Sequence, residues 1–156
     1  MPLTILIDAD ACPVKDECYR VAERHGADVK VVANQWMRVP REPWLEMVKV
    51  SDGFDAADDW IAEHAATGSV VVTSDILLAE RCVASGAEVL SATGKVFTEA
   101  NIASSVATRN LMQDLRAGVG NEMLGGPKPF SAADRSRFLQ ALESACRRAK
   151  AVSTNS

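Results

Sequence analysis

The stretch from Leu3 to Lys15, LTILIDADACPVK, constrains the fold more than any other part of the sequence. It opens with a run of apolar residues, turns acidic at Asp8 and Asp10, and enters an amphipathic segment through Pro13. Proline is favoured at the first position of a helix, where its missing N–H needs no partner. The stretch therefore predicts a buried strand, a tight turn and the start of a helix.

The same pattern of strand followed by helix recurs along the chain. Runs that are typical of buried parallel strands lie at 28–33, 69–73 and 87–90, with a weaker alternating run at 44–50. Amphipathic segments with helical spacing separate these runs and fill most of 98–117 and 132–149. The sequence therefore predicts an α/β fold with a mostly parallel sheet and helices on both faces.

Composition limits the class of protein. With 156 residues and 47% apolar content, the chain can form one domain, predicted over 1–150 with a disordered tail at 151–156. No apolar run approaches the roughly 20 residues of a membrane span, so no membrane partner is expected. The four cysteines form no C-x-x-C pair or zinc-binding spacing, which is typical of reduced thiols in a cytoplasmic protein. A homo-oligomer is compatible with this composition.

Acidic residues stand where the predicted elements meet. Asp8 and Asp10 follow the first strand, Asp55, Asp58 and Asp59 open a helix, and Asp75 follows the strand at 69–73. Because the carboxyl ends of parallel strands share one edge of a sheet, these groups can converge. A cluster of carboxylates without His or Cys suits a hard divalent cation, Mg²⁺ or Mn²⁺. Capping of a helix or an Asx turn stays open as the simpler interpretation of each Asp.

Such a site can activate water and stabilise charge in phosphodiester hydrolysis. The hypothesis assigns metal binding to Asp8, Asp55, Asp58 and Asp75, and catalysis to Asp8, Asp10, Asp58, Asp75 and Ser74. Thr73 and Ser74 would orient a carboxylate or the attacking water. Substrate contacts are assigned to Lys15, Arg38, Arg41, Thr73 and Lys128. Since the net charge is −4, the chain has no global basic field, and a polyanion needs such local cations.

The predicted loop at 34–43 carries Trp36 together with the two arginines of that set. An exposed tryptophan between basic residues suits stacking on a single nucleic-acid strand. A tryptophan folded onto the core explains the same sequence equally well, so both interpretations stay open.

Four stretches resemble the YaiI/YqxD family of uncharacterised bacterial proteins, which belongs to the PIN-like nuclease superfamily. They are IDADACPVK at 7–15, DAADDWI at 55–61, VVTSDILLA at 71–79 and GGPKPFSAADRSRFLQAL at 125–142. The resemblance spans almost the whole chain and implies a three-layer α/β/α PIN-like fold. It also implies an acidic site for Mg²⁺ or Mn²⁺ and ribonuclease chemistry, with RNA favoured over DNA as the partner. Asp8 matches the first acidic position of PIN domains, Asp58 or Asp55 the helix position, and Asp75 the later one.

The chain also departs from ordinary PIN domains, and two other functions stay open. Asp10, Cys12 and the GGPKPF segment are additions to the PIN pattern. A haloacid dehalogenase-type phosphatase would use Asp8 as nucleophile and Asp10 as general acid, although its acidic pair should follow Thr73 rather than precede it. The remaining alternative is a non-catalytic nucleic-acid-binding or regulatory domain with a vestigial metal site.

Overall fold

The computed structural model describes residues 3–10, 12–53, 55–119 and 129–155. The strands are β1 (Thr4–Asp8), β2 (Asp28–Ala33), β3 (Leu45–Lys49), β4 (Ser69–Val72), β5 (Glu88–Leu90) and β6 (Val96–Phe97). The helices are α1 (Lys15–His25), α2 (Ala56–His64), α3 (Ile76–Ala84), α4 (Glu99–Val119) and α5 (Ala132–Asn155).

The strands form one six-stranded sheet in the order β3-β2-β1-β4-β5-β6. Every neighbouring pair is parallel except β5 and β6, which are antiparallel. The chain runs outward from β1 through β2 to β3 and then returns to β4 on the other side of β1. The strand order therefore reverses between β1 and β4, and open α/β sheets bind ligands beyond the carboxyl ends of strands at such a point.

Side chains of β1 alternate between two hydrophobic layers, because successive residues of a strand point to opposite faces. Ile5 and Ile7 pack with α1 and α5, whereas Leu6 packs with α2, α3 and α4. Fully buried helix residues complete each layer: Cys18, Phe138 and Leu142 on one side, and Ile61, Leu78 and Cys82 on the other. The predicted three-layer α/β/α architecture is confirmed.

Most predicted elements lie where the sequence placed them, including the short strand β3. The sequence did not predict β6, whose two residues carry too little pattern to be distinguished from the start of α4. α5 continues through Asn155 and so extends into the segment at 151–156 that the sequence analysis assigned to a disordered tail. Ala149 is 2% exposed against the core, so packing holds the helix beyond the predicted apolar stripe. Within the described residues, no helix is both long and apolar enough to span a membrane.

Ion pairs join α1 to α5 on the layer opposite the candidate site. The Glu143 carboxylate accepts hydrogen bonds from Arg24 at 2.5 Å and from His25 and Arg147 at 2.9 Å each. These bonds lower the pKa of Glu143 to about 2. Through these bonds Glu143 of α5 holds Arg24 and His25 at the end of α1.

Candidate active site

The carboxyl ends of β1 and β4 are joined by side chains. The hydroxyl of Thr73 donates a 2.8 Å hydrogen bond to Oδ2 of Asp8, across the gap between the two strands. The backbone N–H of Asp75 in turn donates to the Thr73 hydroxyl oxygen at 3.0 Å. Thr73 is 3% exposed, so this chain of bonds is shielded from water and fixes Asp8 relative to the start of α3.

Asp75 has a structural role as well as a place in the site. It is the N-cap of α3, and its Oδ1 accepts hydrogen bonds from the N–H groups of Leu77 at 3.0 Å and Leu78 at 3.2 Å. The capping interpretation is therefore correct for one oxygen of Asp75. The cap uses Oδ1 alone, so the same carboxylate can also serve the site through its other oxygen.

The first turn of α2 separates its three carboxylates. Asp55 occupies the N-cap position, but its side chain makes no capping hydrogen bond, so the capping interpretation is wrong for this residue. Asp59 points to Arg81 and forms an ion pair with it at 2.9 Å. Asp58 lies with Asp55 on the cleft described next.

A cleft of about 510 Å³ opens at this edge of the sheet. We call it the acidic cleft, because its lining includes the carboxylates of Asp8, Asp10, Asp55, Asp58 and Asp75. These residues come from the end of β1, the start of α2 and the start of α3. The structure therefore brings together every predicted metal ligand in one cavity at the point where the strand order reverses.

The carboxylates of the cleft are coupled electrostatically. Burial raises the pKa of Asp58, and the charges of Asp75, Asp8 and Asp55 together with a hydrogen bond to Asp75 raise it further, to about 6. Burial is also the largest cause of a raised pKa at Asp8, where the hydrogen bond from Thr73 acts in the opposite direction. Ionising all of these carboxylates in the folded protein therefore costs free energy, unless a cation neutralises their charge.

The donor set limits how a cation could be held. Within the described residues, no three His, Cys, Asp or Glu side chains are grouped so that they could hold a metal ion between them. Mg²⁺ is commonly bound through one or two carboxylates, with water and phosphate oxygens filling the other positions. The carboxylate oxygens of the cleft fit that mode of binding and do not fit a site built from protein ligands alone.

Several predicted contacts lie elsewhere. The Lys15 ammonium donates to the carbonyl oxygen of Cys12 at 2.8 Å and is not part of the cleft lining. Arg38 and Arg41 are exposed on the loop after β2, and Lys128 lies outside the described residues. Ser74 lines two neighbouring cavities rather than the acidic cleft. Trp36 is 68% exposed, so the interpretation that it packs onto the core is wrong.

Three polar residues that line the cleft were not predicted from the sequence: Asn34, Arg81 and Arg109. Asn34 directly follows β2, where its position at the sheet edge was available as a signal. Arg81 shares a helix face with Leu77 and Leu78, which the helical spacing of α3 could have shown. Arg109 lies on α4, and nothing local to that helix indicates which neighbour it packs against.

Comparison with known proteins gives a family and relatives. Residues 6–148 match the sequence profile described as "Uncharacterized BCR, YaiI/YqxD family". A UPF0178 protein of Sphingopyxis alaskensis is 64% identical over 146 residues, which cover 94% of each chain. A UPF0178 protein of Rhodopseudomonas palustris is 57% identical, over 94% of each chain. One of Nitrobacter winogradskyi is 56% identical, over 94% of this chain and 92% of its own. No solved structure matches the chain.

Proposed function

This chain belongs to the YaiI/YqxD family, and we propose that it is a metal-dependent nuclease that hydrolyses phosphodiester bonds of RNA in the cytoplasm. The observation that carries the proposal is the grouping of Asp8, Asp58 and Asp75 around one cleft where the strand order reverses. Membership of the PIN-like nuclease superfamily, which the sequence motifs imply, stays a prediction.

The charge of the cleft supports a bound cation. Burial, together with repulsion among the carboxylates, raises the pKa of Asp58 to about 6, and a divalent cation would offset the repulsion. Asp8, Asp58 and Asp75 would hold Mg²⁺ or Mn²⁺ directly or through water, and Asp10 and Asp55 would complete the negative shell. When bound, the cation would supply positive charge at the phosphate oxygens and acidify a coordinated water.

The residues around the carboxylates prepare the site for that chemistry. Thr73 holds one oxygen of Asp8, and the α3 cap holds one oxygen of Asp75, so both side chains are oriented before any ligand arrives. Ser74 is exposed beside them and can orient the attacking water through its hydroxyl. Arg81 and Arg109 line the same cleft and offset the repulsion between five carboxylates and a polyanionic substrate.

One observation favours the alternative of a non-catalytic nucleic-acid-binding domain. Without three grouped metal ligands in the described part of the chain, the exposed Trp36 and the cleft arginines could bind a strand and leave it intact. The phosphatase alternative is less well supported. It expects a lysine beside the nucleophile, and among the described residues that line the acidic cleft there is no lysine.

Cleavage of a flexible RNA with Mg²⁺ or Mn²⁺, and with EDTA, tests the proposal. EDTA and Asp58→Asn should each abolish cleavage, whereas Asp59→Asn should retain it. The second variant is matched, because it makes the same change at the next residue, which pairs with Arg81 but does not itself line the cleft. A phosphate monoester should be a poor substrate throughout. If purified protein binds RNA equally well in EDTA and cleaves no RNA or DNA with either metal, the binding-domain alternative replaces the nuclease.

Metal binding can be tested separately from cleavage. Mg²⁺ or Mn²⁺ should raise the melting temperature of the protein by mass action, since only the folded state gathers the carboxylates. Asp8→Asn should reduce that rise without destabilising the metal-free protein, because one charge leaves a repulsive group. An identical metal response in wild type and variant would remove Asp8 from the site.

A further inference from the structure

A second cavity of about 590 Å³ adjoins the acidic cleft on the side of α4. We call it the α4 cavity. Asp75 and Arg109 line both cavities and so form the border between them. Beyond that border the α4 cavity is lined by Ser74, Thr108, Gln113 and the apolar side chains of Ile76 and Met112. Its volume lies within the range of small-ligand sites.

The two cavities differ in chemistry. The acidic cleft gathers five carboxylates, whereas Asp75 is the one carboxylate among the described residues that line the α4 cavity. The other polar side-chain groups there are two hydroxyls, an amide and a guanidinium, all of which can donate hydrogen bonds. Phosphate oxygens only accept hydrogen bonds, so the α4 cavity can receive a phosphate without a cation. The apolar side chains offer a surface for a sugar or a base.

Arg109 is the positively charged residue among the described residues that line the α4 cavity, so an anion would bind there. It is half-buried, and its Nη1 donates to Oε1 of Gln113, one turn further along α4, at 3.2 Å. In the part of the chain that the structure describes, no carboxylate pairs with it, although Asp75 lines the same cavities. Arg81, by contrast, is paired with Asp59. The planar guanidinium of Arg109 therefore keeps donors free in the geometry that suits a phosphate.

We infer that the α4 cavity is a second nucleotide subsite, in which Arg109 binds the phosphate next to the one in the acidic cleft. This inference rests on the proposed nuclease function and names its substrate as a single-stranded polynucleotide. A single strand can turn its backbone from one cavity into the other on either side of Arg109. A duplex is stiff over roughly 150 base pairs and keeps its bases stacked inside, so it cannot place neighbouring nucleotides in two separate cavities.

Binding of a labelled oligouridylate of about ten nucleotides tests the subsite. The measurements use Asp8→Asn protein with Mg²⁺, so that the strand stays intact. Adding Arg109→Gln should raise the Kd about tenfold, as expected for one lost charge-assisted contact. The slope of log Kd against log salt should become shallower by about 0.7, because one phosphate contact to a single strand is lost. Arg109→Lys should restore the slope, since it keeps the charge.

Arg20→Gln is the matched control, because it removes an equal charge from α1, in the opposite helix layer, where the side chain is 70% exposed. It should change neither the Kd nor the slope. If Arg109→Gln behaves like Arg20→Gln, or if the protein binds no single strand at all, the subsite is overturned. Equal melting temperatures of the two variants would show that both are folded.

A substrate with a single phosphate separates this inference from the proposed function. In the otherwise wild-type protein, Arg109→Gln should raise the KM for the oligouridylate by a larger factor than the KM for bis-p-nitrophenyl phosphate, whose single phosphate can occupy only the acidic cleft. If wild type cleaves neither substrate but Arg109→Gln still weakens binding, the nuclease proposal fails and the subsite stands. If cleavage of both substrates depends on metal and is indifferent to Arg109, the nuclease stands and the subsite fails.

Discussion

The hydroxyl of Thr73 and the carboxylate of Asp8 form a 2.8 Å hydrogen bond between residues 65 positions apart in the sequence. The two residues follow adjoining parallel strands on either side of the point where the strand order reverses. The same hydroxyl accepts the N–H of Asp75, so one side chain fixes the relative positions of two of the site's carboxylates. The shape of the acidic cleft therefore depends on Thr73 as much as on the acidic residues.

Thr73→Val should destabilise the protein and disturb the cleft at once. Valine keeps the branched shape but leaves the buried N–H of Asp75 without a partner, at an expected cost of about 1–3 kcal/mol. Loss of the same hydroxyl removes a bond that lowers the pKa of Asp8, so that pKa should rise further. Urea unfolding of the metal-free protein measures the first effect, and carboxyl titration by NMR measures the second.

Thr73→Ser is the control for this change, because it keeps the hydroxyl and loses only a methyl group. It should stay closer to wild type than Thr73→Val in both measurements. Equal destabilisation by serine and valine would assign the effect to packing and not to the hydrogen bond.

Asp58→Asn should stabilise the metal-free protein in a pH-dependent way. The pKa of Asp58 is about 6 in the folded protein and 3.8 as an ordinary carboxyl, so the folded state binds this proton more tightly than the unfolded state. Stability is therefore lost as pH rises from about 4 through 6, and stays lost above that. Asparagine removes the loss, with an expected gain of about 1 kcal/mol at neutral pH after allowance for solvent screening.

Urea unfolding in EDTA at pH 4 and pH 7.5 measures that difference. The gain should be present at the higher pH and much smaller at the lower one, where the carboxyl is protonated in the folded wild type and partly protonated in the unfolded state. With saturating Mg²⁺ the order should reverse, because the wild type alone keeps the full set of carboxylates. A gain of equal size at both pH values would mean that the charge of Asp58 is not its source.

The layered fold and the acidic cleft could be predicted because their signals are local. The apolar run before Asp8 and the β-branched run before Thr73 each specify a buried strand, and parallel strands bring their carboxyl ends to one edge. The convergence of Asp8, Asp58 and Asp75 follows from that geometry without knowledge of any long-range contact. Two of the four stretches that carry the family resemblance, at 7–15 and 71–79, contain these strand ends.

The basic side of the cleft could not be predicted, because it depends on how helices pack across the sheet. Lys15 and Arg109 are both basic residues on helices. Only Arg109 lines the acidic cleft, because α4 packs against α3. The capping interpretation of Asp55 failed for a related reason. Local spacing permits that cap, but the structure places the Asp55 carboxylate along the cleft, without a bond to its own helix.

Substitutions of Asp75 should separate its structural role from its role in the site. Asp75→Asn keeps an N-cap acceptor for the N–H groups of Leu77 and Leu78, because asparagine caps helices about as well as aspartate, whereas Asp75→Ala removes the cap at a cost of about 1 kcal/mol. Only the alanine variant should therefore lose stability in EDTA.

Both variants remove the charge of Asp75, so both should lose the Mg²⁺-dependent rise in melting temperature and lower RNA cleavage by orders of magnitude. Thermal unfolding with Mg²⁺ and with EDTA, alongside the cleavage assay, gives all these values. If Asp75→Asn retained cleavage while Asp75→Ala lost it together with stability, Asp75 would be a helix cap and nothing more.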